Sequence, residues 1–156
     1  MADALVARWD LPKPKKKFAG ELSEGRAGAG GPRVAVLKPQ TYMNEAGRSV
    51  GPARGSYKLD LDRLLVIHDE IDLPFGEIRV RLGGGLAGHN GLKSLKRELG
   101  GTDFHRVRIG VGRPDTTDPD LVAAHVLGKW RQSAADVREL VQRARDEAER
   151  VVADAQ

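Results

Sequence analysis

No cysteine occurs among the 156 residues, which excludes disulfides and thiol catalysis and fits a reducing compartment. Long apolar runs are missing too, as is any charged-then-apolar leader. Nothing therefore reads as a membrane span or a secretion signal, and a cytoplasmic protein is expected. There is no internal repeat. Charge of neither sign dominates: 26 Lys and Arg oppose 22 Asp and Glu, a net +4, so the clustering of charge decides more than its total. What remains is a chain of single-domain size, residues 1–156, long enough to bury about two thirds of its unfolded surface.

The stretch from Leu64 to Leu99 organises the rest. Leu64, Leu65, Val66 and Ile67 form an apolar run suited to a strand buried on both faces, and it leads into His68, Asp69, Glu70 and Asp72. Polar chemistry is thus expected at a strand's carboxyl end. After the Leu73-Pro74-Phe75-Gly76 turn, Ile78, Val80 and Leu82 alternate with Arg79 and Arg81, which predicts a second strand with one apolar and one cationic face. Gly83, Gly84, Gly85 and Gly88 then open a loop where backbone can approach a ligand closely. It runs into a helix that aligns Leu92, Leu95 and Leu99. His89 and Asn90 fall at that helix's amino end, where free N–H groups and the positive dipole end attract anions. Lys93, Lys96 and Arg97 add charge on the outer face. A polyanionic ligand is expected.

The remaining segments supply the frame. Ala4, Leu5 and Trp9 mark a first helix that Pro12 and Pro14 terminate, and the run Lys13, Lys15, Lys16, Lys17 reads as a solvated face before a phosphate contact. Strands are expected at Phe18–Gly25, Arg33–Leu37 and Arg106–Gly112, a weak helix from Asn44 towards Tyr57, and a short helix at Pro119–Leu127. A last helix from Ser133 aligns Val137, Leu140, Val141, Ala144, Ala148 and Val151 as packing material. Asn44 alone would read as a helix cap. Paired with an acidic strand end it becomes a site candidate, because ligands of open α/β sheets bind beyond the carboxyl ends of strands. The alternation of strands and helices predicts a three-layer α/β domain with a mixed, mainly parallel twisted sheet flanked by helices.

Four segments carry a resemblance. Lys38-Pro39-Gln40-Thr41-Tyr42-Met43-Asn44, His68-Asp69-Glu70-Ile71-Asp72-Leu73-Pro74, the Gly83 to Ser94 stretch GGGLAGHNGLKS and the Phe104 to Pro114 stretch FHRVRIGVGRP resemble, in order and spacing, the bacterial-type peptidyl-tRNA hydrolases. The resemblance spans essentially the whole chain. It implies hydrolysis of the ester joining a peptide to the 3′ ribose of tRNA, which recycles tRNA from stalled translation. It implies no metal and no cofactor, contacts to the acceptor stem and 3′ end, and a monomer.

Carried over by motif, Asn44 is similar to the asparagine that contacts tRNA and peptide and can donate to the substrate carbonyl or its oxyanion, with Tyr42 and Met43 as the wall beside it. Asn90 is similar to the asparagine that holds substrate and attacking water, with His89 next to it. Asp69 resembles the carboxylate that orients the catalytic histidine. Arg81, Arg108, Lys93 and Lys96 resemble the groups that meet acceptor-stem phosphates. An ester needs these parts: a general base near neutral pKa, a carboxylate fixing its tautomer, and amide donors where negative charge develops. Family members open with a strand, a Gly-Asn-Pro-Gly turn and a Thr-Arg-His-Asn motif whose histidine activates water, whereas Met1-Ala2-Asp3-Ala4-Leu5 matches the helix that follows. The expectation is therefore an amino-terminally incomplete chain, without the family's first, internal strand and without the general base. None of His68, His89, His105 and His125 stands in that motif. His89 reads as a pocket-lining residue without an orienting carboxylate, His68 as a packed side chain, and His105 and His125 carry no site signal.

Two other readings compete. A chain without the base retains Asn44, Asn90 and the basic face, and would hold RNA without cleaving it. Gly83, Gly85 and Gly88 also match a dinucleotide fingerprint between a strand and a helix, but Arg106 and Arg108 stand where its carboxylate is expected. No Gly-Lys-Ser/Thr follows the loop, which disfavours a phosphate-loop NTPase.

Overall fold

The computed structural model of the chain describes residues 1–86, 89–112 and 134–154. The helix expected at Pro119–Leu127, His125 within it, and Gly88 lie outside these residues. The chain begins with α1 (Ala2–Arg8) and a ribbon of β1 (Lys15–Lys17), β2 (Gly20–Arg26) and β3 (Arg33–Pro39). Neighbours in this ribbon are antiparallel, with Lys17 opposite Gly20 and Gly20 opposite Pro39. The β1–β2 turn places Phe18 and Ala19 in the left-handed region, at φ 55° and 52°, the turn geometry that matches the twist of a two-residue hairpin. The lysine run is an exposed edge strand, and like charges on an edge discourage pairing with another chain.

After β3 come a 3-10 turn at Met43–Glu45 and α2 (Gly47–Tyr57), then β4 (Leu65–Glu70), β5 (Ile78–Leu82), α3 (Asn90–Leu99), β6 (His105–Gly110) and α4 (Ala134–Asp154). The second sheet has the order β4-β6-β5. β4 and β6 run parallel, Leu65 opposite His105 and Glu70 opposite Gly110, while β5 lies antiparallel to β6.

The α/β class and its three layers hold. On one face of the second sheet, Leu5 of α1 and Ala144 and Ala148 of α4 pack on Val107, Leu65, Ile67 and Ile109; on the other, Leu92, Leu95 and Leu99 of α3 pack with Phe104 on Leu64 and Val66. The single, mainly parallel sheet does not hold. There are two three-stranded sheets, and β4–β6 is the one parallel pairing among the described residues. Connection length explains the difference: β1, β2 and β3 are joined by tight turns with no helix between them, which forces antiparallel neighbours, whereas the path from β4 to β6 includes α3. β3 and β4 each pair along one edge only among the described residues. Nor is the β4 apolar run sealed on both faces. Leu65, Val66 and Ile67 are half-buried, and the buried positions are His68 and Glu70. No helix among the described residues is long and apolar enough to cross a membrane.

Phe104 is fully buried where α3 meets the second sheet. Phe104→Ala is expected to lower unfolding free energy by about 3–5 kcal/mol, from lost transfer energy plus the cavity left behind. Urea melts with an unchanged slope would measure it, and a loss below about 1 kcal/mol would contradict this packing.

Candidate active site

The polar end of β4 faces the amino end of α3, and side-chain hydrogen bonds join them. His89 is the N-cap of α3: its Nδ1 accepts from the Leu92 N–H at 3.2 Å. A ring nitrogen that accepts carries no proton, so the proton sits on Nε2, 2.9 Å from Asp69 Oδ1. The expectation that His89 lacks an orienting carboxylate is thereby corrected, because Asp69 is that carboxylate. Sequence spacing hid the pair, since 20 residues separate its members. The His89 hydrogen bond is the main cause that holds the Asp69 carboxyl below the ordinary carboxylate range.

His68 stands behind this pair, its ring edge-on to that of His89 with centroids 5.2 Å apart. Its Nδ1 donates to the Asp69 carbonyl at 2.8 Å, and its Nε2 accepts from Arg106 Nε at 3.1 Å. Burial pushes the His68 imidazole down to about 4, so it is neutral at physiological pH and can serve as that acceptor. His105 sits in the first β6–β4 pair, opposite Leu65, at the far end of the strands from Asp69.

The asparagine from the other motif is delivered by close backbone approach. A Cβ on Gly91 would lie 2.8 Å from Met43 Sδ, and one on Gly47 would lie 2.5 Å from the Ser94 carbonyl. At Gly47 the neighbour is α3 backbone, so glycine there lets α2 lie so near α3, while at Gly91 the neighbours are the Met43 and His89 side chains. Gly47 N–H donates to Ser94 Oγ at 2.8 Å, and Arg97 Nη2 donates to the Asn44 carbonyl at 3.1 Å. Asn44 therefore lies in a 3-10 turn ahead of α2, whose N-cap is Ala46, and is not the cap itself. Asn44 and Asn90 are both exposed, and no hydrogen bond engages either side-chain amide among the described residues. Tyr42 and Met43 are exposed at 81% and 52%, a large apolar surface to leave in water beside two free amides.

The cations separate into two kinds. Arg81 pairs in register with Arg106, and Arg79 with Arg108, so β5 and β6 present one basic face. Arg81, Lys93 and Lys96 are exposed. Arg108 is held back, donating to the buried Glu70 at 3.2 Å. Arg97 and Arg106 were missed as site-building groups by sequence reasoning. The alternation of Arg106 and Arg108 with Val107 and Ile109 did carry a signal, since it sets two arginines on the sheet face opposite the aliphatic pair.

A glycine loop after β5 does not make a nucleotide fold here. The dinucleotide fingerprint belongs to a parallel strand-helix-strand unit, and β5 and β6 are antiparallel. Fold and site together define an α/β protein in which an Asp–His pair joins the end of β4 to the start of α3, with the Asn44 and Asn90 amides and the Arg81, Lys93 and Lys96 cations exposed. The family model described as peptidyl-tRNA hydrolase matches residues 1–156. Similar proteins include a peptidyl-tRNA hydrolase of Acidiphilium cryptum (strain JF-5), 46% identical over 86% of this chain and 68% of its own length. Another is the peptidyl-tRNA hydrolase of Novosphingobium aromaticivorans, 52% identical over 78% of this chain and 61% of its own length. Among solved structures, the peptidyl-tRNA hydrolase from Acinetobacter baumannii superimposes with a TM-score of 0.84 at 33% identity, covering 99% of this chain and 77% of that one. The chain belongs to the peptidyl-tRNA hydrolase family, and spans 61% to 77% of these three relatives.

The buried His68 sets a pH dependence. Its value of about 4 lies below the ordinary 6.5, so between those pH values the unfolded chain binds more protons than the folded one. Stability is then complete above about pH 6.5 and falls by up to about 1.4 kcal/mol per unit as the pH drops towards 4. Asp69 acts in a lower window, since a depressed carboxyl loses its contribution only below about pH 4. Urea midpoints measured from pH 7.5 to 4.5 should show the His68 slope, and His68→Gln should flatten it. An unaltered slope in that variant would place its origin elsewhere.

Proposed function

We propose that this site takes the 3′ end of peptidyl-tRNA, with the ester bond between peptide and ribose lying between Asn44 and Asn90. The observation that supports the reading is the close approach of Met43 to Gly91, the chain neighbours of the unengaged Asn44 and Asn90, next to the His89–Asp69 hydrogen bond. Amide donors suit an ester because negative charge develops on its carbonyl oxygen during attack by water, and such donors are commonly worth about 2.7–4 kcal/mol in the transition state. Asn44 is assigned to the carbonyl and Asn90 to the substrate and the attacking water. Exposed Tyr42 and Met43 offer a flat apolar surface on which an unpaired terminal base can stack, a contact worth about 1–3 kcal/mol. Arg81, Lys93 and Lys96 are assigned to acceptor-stem phosphates, with Arg108 a weaker contributor because Glu70 already neutralises it. The tRNA is the partner in this reading, and a monomer suffices to bind it.

A second reading follows from the histidines, that of an RNA-binding module of the same fold which holds this substrate without cleaving it. General-base catalysis needs a ring nitrogen free to accept a proton from water. His89 has its acceptor nitrogen on the Leu92 N–H, His68 has its own on Arg106, and His105 lies at the opposite end of the strands. The groups at hand in the described residues therefore bind the ester and stabilise charge on it, while none accepts the water's proton.

Both readings meet one experiment. An acceptor-stem minihelix ending in a non-hydrolysable peptidyl amide should bind this chain, and Asn44→Ala or Asn90→Ala should each weaken binding about 3- to 10-fold, the worth of one hydrogen bond. Arg81→Ala should lower the slope of log affinity against log salt by about one. On authentic peptidyl-tRNA the chain should bind without accelerating hydrolysis. Rapid turnover would remove the second reading, and no RNA affinity at low salt would remove both.

A further inference from the structure

Arg106 is the largest fully buried side chain, at 1% exposure in the middle sheet strand β6, and no carboxylate ion-pairs with it among the described residues. A buried cation in this state is costly unless its donors are all used. Its partners are polar but uncharged: Nε donates to His68 Nε2 at 3.1 Å, and Nη1 donates to the carbonyls of Gly83 at 3.1 Å and Gly85 at 2.7 Å. The opposite position on β4 is Val66, so an aliphatic residue would fit the strand pairing without that cost. A feature this expensive needs a reason beyond packing.

The reason lies in what the guanidinium holds. Gly83 and Gly84 adopt φ values of 69° and 96°, and the stretch to Gly85 has no side chain with which to anchor itself. Its fixed points are the two carbonyls on Arg106 and one backbone bond, Gly83 N–H to the Phe104 carbonyl at 2.9 Å. From there the chain runs to His89, which caps α3 and meets Asp69. On its other side the guanidinium fixes the ring of His68, which donates to the Asp69 carbonyl and lies edge-on to His89. One side chain thus touches both supports of the site, the end of β4 and the loop that leads into α3. A planar fork with several fixed donors can bridge three acceptors on two segments, and an ammonium group cannot reproduce that geometry.

We propose that Arg106 is a positioning residue whose guanidinium, seated on His68, holds the Gly83–Gly85 backbone against β4 and thereby sets where α3 presents His89 and Asn90. It does not touch substrate. Arg81 covers the same loop from outside, since a Cβ on Gly84 would collide with its guanidinium, so the loop is held between an inner and an outer arginine. Only the RNA arm of the test rests on the peptidyl-tRNA reading.

The test compares Arg106→Lys, His68→Leu and His68→Gln in the full chain. Amide hydrogen exchange at Gly83, whose N–H is bonded to the Phe104 carbonyl, reads the loop, and exchange at Val107 reads the sheet. His68→Leu removes the acceptor, so the Gly83 amide should exchange at least 10-fold faster while Val107 changes less than 3-fold. His68→Gln supplies an acceptor oxygen and should restore the loop to within 3-fold of the parent. Arg106→Lys should behave as His68→Leu does. Where the lysine variant also loses protection at Val107, the two His68 variants decide. Equal loop exchange in parent and His68→Leu overturns the proposal, as does a Gln variant no better than Leu. In a parallel arm, minihelix affinity should fall with loop protection across the series. A parent that binds no RNA defeats the functional reading and leaves the exchange result to judge Arg106 alone, while altered loop exchange with unaltered affinity shows that the loop does not place Asn90.

Discussion

One imidazole joins the end of a strand to the start of a helix, and the site depends on that join. His89 spends one nitrogen on the Leu92 N–H and the other on Asp69. The Asp69 charge is thereby passed through a neutral ring to the amino end of α3, where negative charge is favoured by about 0.3–1 kcal/mol. Strand β4 cannot slide against α3 without breaking this relay. Asn90, the next residue after the cap, inherits its place from it. The Met43–Glu45 turn is located in turn by α3, through Gly91, Ser94 and Arg97, so Asn44 follows the same reference. Two motifs 46 positions apart are thus set by one helix.

Much of this was legible from residue order. The strand at Leu65–Glu70, the alternating strand at Ile78–Leu82 and the leucine face of α3 all obey periods that follow from backbone geometry alone. The buried Leu140, Ala144 and Ala148 of α4 recur at helical spacing and were equally plain. Sheet topology was less legible, because alternation of element types does not say which strands become neighbours. The hairpins of β1, β2 and β3 form a separate ribbon that a count of strands and helices cannot separate from the main sheet. Side-chain partnership was the least legible. Asp69 and His89 were both singled out, yet their bond depends on how β4 meets the turn before α3. Arg106 looked like one more basic residue on a cationic strand, and its burial follows only once β6 is known to be the central strand.

The arginines on this sheet show how one residue type performs opposite tasks. Arg106 is enclosed and tied to neutral groups, Arg108 is half-enclosed and paired with Glu70, and Arg81 is in water. Coulomb attraction at a few ångströms is strong in low dielectric and weak in bulk water, so the two inner arginines contribute order while the outer one remains available for a mobile anion. Phosphate contacts position a nucleic acid without reading its bases. Exposed Arg81 therefore keeps its donors for solvent or a mobile anion, while the inner pair is committed to the fold.

Direction, more than energy, commits both nitrogens of His89 to the fold. Losing a capping hydrogen bond costs about 0.5–2 kcal/mol, which is small beside the 10²- to 10⁴-fold that a general base supplies. Freeing Nδ1 would thus be affordable if the nitrogen then faced water. With Nε2 fixed on Asp69, however, Nδ1 points at the first turn of α3, and turning the ring to aim it elsewhere gives up the carboxylate that would stabilise the resulting imidazolium. The ring can keep its orienting partner or expose its lone pair, and the geometry selects the partner. Asp69 and His89 accordingly act as a support that ties the end of β4 to the first turn of α3.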